Sequence, residues 1–91
     1  DGTIEEQTNQ VMKNLQAILE EAGVTFADVV KTTIYVTEMV NYGKINEVYG
    51  SYFSEPFPAR ETVSVKELPL GAKLEISMIA FAKGKPQNVV N

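Results

Sequence analysis

Two prolines, Pro56 and Pro58, close off the segment Phe53-Ser54-Glu55-Pro56-Phe57-Pro58-Ala59-Arg60 and force the chain from helical into extended geometry. Each fixes its own φ and biases the residue before it towards β or polyproline geometry, so the entry into the next element is stiff. From Arg60 the pattern alternates, with Arg60, Thr62 and Ser64 on one face and Glu61, Val63 and Val65 on the other, as a strand requires. An arginine at the start of a strand, behind a rigid turn, is well placed to grip a carboxylate with two parallel hydrogen bonds. The competing reading is a surface ion pair with a neighbouring glutamate. Residue types alone leave both open.

Upstream, Thr3-Ile4-Glu5-Glu6 is a capping box, in which the threonine and the glutamate satisfy each other's backbone N–H groups. Ile4, Val11, Met12, Leu15, Ile18, Leu19 and Ala22 follow at helical spacing and Gly23 stands where a left-handed terminator belongs, predicting a long amphipathic helix. Val29 to Val36 is dense in β-branched residues and reads as a buried or half-buried strand, with Val30, Thr32, Ile34 and Val36 on one face and Val29, Lys31, Thr33 and Tyr35 on the other. A second helix is predicted from about Tyr42 to Phe53, with Tyr42, Ile45, Val48, Tyr49, Tyr52 and Phe53 as its apolar stripe and Gly43 and Gly50 allowing close packing on the sheet. After the proline turn come strands from Arg60 to about Lys66 and from Lys73 to about Ala82, with Leu74, Ile76 and Met78 facing one way and Glu75, Ser77 and Ile79 the other. The expectation is an α+β domain over residues 1–82, its last two strands forming an antiparallel hairpin around a 67–72 loop, with both helices on one face of a mixed sheet. Residues 83–91 read as a loose polar tail. Three strands leave open edges, so oligomerisation or additional strands are expected.

Composition narrows the chemistry. The 91-residue chain has no Cys and no His, which excludes thiolate nucleophiles, disulfides, histidine triads and zinc-thiolate sites. Catalysis would rest on carboxylates, Lys, Arg, Tyr, hydroxyls and backbone amides. The net charge of −4 and the lack of a basic cluster argue against a nucleic-acid partner. No apolar run reaches the length of a membrane span. A cytoplasmic location is expected, with organelle targeting left open because the chain begins at Asp1-Gly2 without a methionine.

Four stretches in register, Val29-Val30-Lys31-Thr32-Thr33, Asn46-Glu47-Val48-Tyr49-Gly50 with Tyr52-Phe53, Phe57-Pro58-Ala59-Arg60, and Leu74-Glu75-Ile76 on to Ile79-Ala80, resemble the RidA (YjgF) family of enamine/imine deaminases. The resemblance covers nearly the whole chain up to Ala82. It implies a chorismate-mutase-like α+β fold and a homotrimer whose sheets build a central barrel, with sites in the clefts between subunits. It also implies hydrolysis of imines and enamines such as 2-aminoacrylate to 2-keto acids and ammonia, with no cofactor and no metal.

On this resemblance Arg60 fixes the carboxylate of a small imino or keto acid, and Glu75 orients the attacking water as general base. Glu75 also reads as an outward strand residue in a surface ion pair. Asn46 matches a helix-start asparagine near the ligand, with backbone capping as the alternative. Thr62 stands beside the substrate where many members carry cysteine, and Ser77 replaces a second acidic residue. The Gly-Pro-Tyr and Ser-Gly-Gln segment with which members usually begin has no counterpart here, so this chain is expected to lack two strands and part of a pocket wall. The alternatives are a non-catalytic trimer that binds keto or amino acids, a ribonuclease or translation inhibitor, and a chaperone-like protein acting through exposed apolar edges. The acidic charge and missing histidines weigh against the ribonuclease.

Overall fold

The computed structural model describes residues 2–91. Helix α1 (Ile4–Glu21) begins at the expected box: the Glu6 N–H donates to Thr3 Oγ1 at 3.1 Å and the Thr3 N–H to the Glu6 carboxylate at 2.9 Å. Gly23 follows it with φ +80, a left-handed geometry that costs glycine nothing. The buried stripe is Ile4, Thr8, Met12, Leu15 and Leu19, while Ile18 at the stripe's margin and Ala22 past the helix end stay exposed. Thr8 is tolerated in the core because its hydroxyl donates back to the Ile4 carbonyl at 2.7 Å.

Strand β1 (Val29–Val36) is followed by α2 (Tyr42–Gly50), β2 (Ala59–Ser64), β3 (Leu74–Ala82) and β4 (Lys85–Val90), in the sheet order β2-β1-β3-β4. Both helices supply the core with β1, β3 and β4, from Met12, Leu15 and Leu19 through Ile45 to Ile34, Ile76 and Met78. An irregularity between Val29 and Lys31 resets the alternation of β1. It buries Val29 and turns Val30 outward, against the expected single face of Val30, Thr32, Ile34 and Val36.

The expected hairpin between the last two predicted strands does not form. β1 lies between them, pairing parallel to β2 and antiparallel to β3. The near-continuous β-branched run of β1 suits a central strand that is bonded on both edges. The parallel β1–β2 pair uses α2 as its crossover, as parallel neighbours require. The connection from β2 to β3, containing a 3-10 turn at Pro69–Gly71, then carries the chain past β1.

The tail is not loose either. Ala82 faces Lys85 across a two-residue turn at Lys83–Gly84, both with positive φ (55 and 76), the turn geometry that matches strand twist in tight hairpins. Val89 returns opposite Met78 and is 7% exposed. The Asn91 N–H and C=O both bond to Ile76, at 2.9 and 2.8 Å. Helix α2 is shorter than predicted, ending at Gly50. Its glycines are not close contacts: a Cβ at Gly43 or Gly50 would meet nothing within 4 Å.

Candidate functional site

The stiff Pro56–Pro58 entry delivers Arg60 as the second residue of β2, paired with Thr32 of β1. Thr32 faces the helices and is fully buried, so Arg60 shares the helix side of the sheet. There its guanidinium lies over the Tyr49 ring, 5.6 Å from the centroid, and Nη2 donates to the Tyr42 hydroxyl at 3.3 Å. The ion pairs among the described residues are Lys31–Glu61 and Lys73–Glu38. Arg60 is in neither, so the surface-pair reading of this arginine does not hold among the described residues.

Arg60 lines a cavity of about 450 Å³ with Asn46, Tyr49, Gly50, Phe57 and Pro58. One wall is apolar and one end is cationic, the pattern of a small-molecule site. Asn46 lies inside α2, five residues beyond the Asn41 cap position, so it cannot cap the helix start. Its Oδ1 is buried and has no hydrogen-bond partner among the described residues. A buried acceptor without a donor is costly, and a ligand N–H or O–H would complete it. Thr62 lies two residues further along the same face of β2, opposite Ile34 and half-buried.

Tyr49 is the platform of the site. It is 4% exposed, stacks on Phe53 with a centroid distance of 4.7 Å, and donates from its hydroxyl to Thr32 Oγ1 at 3.0 Å. Burial raises its pKa, while the Thr32 hydrogen bond and the Arg60 charge pull it partly back. The phenol therefore stays neutral and acts as a ring face for the cation.

Glu75 is elsewhere. It pairs with Tyr35 of β1, whose own partner on β2 is Val63. It is half-buried and faces away from the helices, between the inward-facing Leu74 and Ile76. Two strand spacings and three residues of rise separate it from Arg60, about 14 Å between backbones. The sheet itself stands between the two side chains. Arg60 and Asn46 are brought together by one protomer, with Thr62 nearby; Glu75 is not.

Sequence reasoning missed Tyr42, Tyr49, Phe57 and Pro58 as parts of the site. The two tyrosines are seven residues apart, hence on one helix face, and they were read only as core stripe. That spacing beside an arginine strand entry was the available signal.

Residues 1–82 match the family described as Endoribonuclease L-PSP. Among curated relatives, a RutC family protein of Pyrococcus horikoshii is 48% identical, over 88% of this chain and 64% of its own length. The chloroplastic Reactive Intermediate Deaminase A of Arabidopsis thaliana is 46% identical over 86% of this chain and 42% of its own. A mouse 2-iminobutanoate/2-iminopropanoate deaminase is 43% identical over 87% and 58%. The chain thus spans at most about two thirds of the length of these relatives. Among solved structures, RidA from an Antarctic Psychrobacter superposes with a TM-score of 0.85 at 38% identity, covering 89% of this chain and 66% of that one. Escherichia coli TdcF with bound serine superposes at 0.83 and 35% identity, covering 88% and 65%. With the family match across residues 1–82 and the helices-on-sheet fold shared with the solved RidA structures, this chain belongs to the Endoribonuclease L-PSP family that includes RidA.

Proposed function

We propose that this chain acts as a deaminase on small 2-imino or 2-enamino acids, releasing a 2-keto acid and ammonia. The observation that carries this reading is the Arg60 guanidinium, in no ion pair among the described residues, at the cationic end of a cavity also lined by Asn46, whose Oδ1 has no partner among the described residues. Arg60 fits the substrate carboxylate, and a bidentate charge-assisted contact fixes both position and plane. Asn46 Oδ1 fits an N–H of the imine or enamine nitrogen. In the reaction, water adds to the imine carbon, giving a carbinolamine. A proton passes to nitrogen, the C–N bond breaks, ammonia leaves, and the second proton of the water is lost as C=O forms.

Glu75 is assigned as the base that takes the proton from the water, with Thr62 beside the substrate. Because Glu75 lies across the sheet from Arg60, the reading requires Glu75 from a neighbouring copy. Its support is an uncovered sheet face that exposes Val30, Val63, Phe81 and Val90, the kind of apolar surface that protein assembly covers. The assembly proposed is a homotrimer, with each site between subunits and neither metal nor organic cofactor. The names of the Arabidopsis and mouse relatives support the activity.

A second reading, a trimer that binds amino or keto acids without turning them over, is favoured by the serine in TdcF. The experiment is release of 2-keto acid from enzymatically generated 2-aminoacrylate, measured over spontaneous hydrolysis, for the chain and for Arg60→Ala. Acceleration abolished by Arg60→Ala supports the deaminase. Pyruvate binding that depends on Arg60, without any acceleration, moves the conclusion to the second reading.

A further inference from the structure

An exposed arginine in water is a loose binder. Several rotatable bonds must freeze before its fork can meet a carboxylate, and that loss of freedom subtracts from affinity. Here two side chains of one helix face already hold the fork. Tyr49 lies beneath the guanidinium, its ring centroid 5.6 Å from Arg60 Cζ, and is itself pinned through its hydroxyl to Thr32. Tyr42, at the first turn of α2, fixes rotation of the guanidinium by accepting from Nη2 at 3.3 Å. The contact uses one of five N–H donors, and the rest stay available to a ligand.

We propose that Tyr42 is a positioning residue for the carboxylate anchor: its hydroxyl holds Arg60 in the binding-ready orientation over Tyr49, so that an incoming 2-keto or 2-imino acid meets an ordered fork. This rests on the functional reading above only in naming the ligand class, because the clamp itself is a property of three side chains. It acts through binding. The carboxylate is equally charged in ground and transition states, so weakening its anchor raises KM and leaves kcat in place.

The test uses Tyr42→Phe, which removes one oxygen from a half-buried ring and leaves the packing intact. Pyruvate binding is followed by NMR titration, and rotation about the Arg60 Cζ–Nη bonds by nitrogen exchange in arginine-labelled protein. Expected for Tyr42→Phe are faster Nη rotation and pyruvate binding weaker by about three- to tenfold, the range of one net hydrogen bond. Where turnover is measurable, KM rises by the same factor at constant kcat. In an Arg60→Lys background, where no fork exists to hold, Tyr42→Phe should change pyruvate binding less than about 1.5-fold, since the coupling term vanishes once the partner is gone.

Unchanged Nη rotation and pyruvate affinity in Tyr42→Phe overturn the proposal, as does an equal loss in the Arg60→Lys background. If neither the parent chain nor Tyr42→Phe accelerates imine hydrolysis, the deaminase reading fails separately. The clamp is then still decided by rotation and pyruvate affinity, which need no turnover.

Discussion

Replacing Thr32 by valine tests the hydroxyl pair on which the Arg60 platform rests. Thr32 is fully buried and Tyr49 nearly so, with the tyrosine hydroxyl donating to Thr32 Oγ1 at 3.0 Å. Valine keeps the shape of threonine, so Thr32→Val opens no cavity and leaves a buried phenol without its acceptor. A buried group deprived of its partner keeps its full desolvation penalty, about 1–3 kcal/mol. Tyr49→Phe should also destabilise, by stranding the threonine oxygen. The double variant replaces the pair with apolar surface and should cost less than the sum of the two, with a coupling of roughly 0.5–3 kcal/mol.

For a chain of this size each kcal/mol moves Tm by about 4–8 °C, so the single losses are readable by urea or thermal unfolding. Protein concentration is held fixed, because the proposed assembly would link stability to it. The pair also has a pH signature. Burial lifts Tyr49 above the ordinary phenol value of 10.0. Below pH 10.0 both folded and unfolded chains hold the proton and the contribution is fully present. Above it only the unfolded chain ionises, so stability falls with rising pH until the folded pKa is passed. Tyr49→Phe should remove that alkaline slope. Two neutral single variants, with no change in slope, would refute the reasoning that this pair is sealed from water.

Three further outcomes follow from the same geometry. Gly43 is exposed in α2 and a Cβ there meets nothing within 4 Å, so Gly43→Ala should raise stability by up to about 1 kcal/mol in urea unfolding; a loss would mean that the helix meets a neighbour at that point. Val89 of β4 is 7% exposed, so Val89→Ala should cost about 1–3 kcal/mol, whereas a loose tail would show no effect by calorimetry. Glu75→Gln should abolish turnover of 2-aminoacrylate while leaving pyruvate affinity within about twofold, because loss of a base acting only in the transition state spares ground-state binding; equal turnover would remove Glu75 from the mechanism.

What the sequence revealed was local. The Thr3–Glu6 box, the α1 stripe through Ile4, Met12, Leu15 and Leu19, the Gly23 terminator and the bounds of β1 each depend on residues within a few positions of one another, and each is found in the structure. The hairpin error came from treating adjacency in sequence as adjacency in the sheet. Nothing in Arg60–Lys66 or Lys73–Ala82 encodes that the longest β-branched run will claim both as neighbours. The Lys83–Gly84 turn was legible in principle, since a two-residue Xaa-Gly step before Val89-Val90 is a hairpin signal, but Pro86 and the polar run around it outweighed that signal.

The site was legible in its residue types and opaque in its faces. Apolar patterning alone would turn Val63 inward and Arg60 out, yet the parallel pairing of Arg60 with buried Thr32 does the reverse. An edge strand is solvated enough on both sides that its own pattern does not decide its orientation, and the register with the central strand does. Once that register is known the rest follows from parity. Arg60, Thr32 and Met78 form one row facing the helices, while Glu75, Tyr35 and Val63 form a row facing the opposite way. No one-protomer ligand of three or four carbons can bridge those rows through a sheet. A chemistry needing both the arginine and the glutamate therefore needs the glutamate from a second copy of the chain.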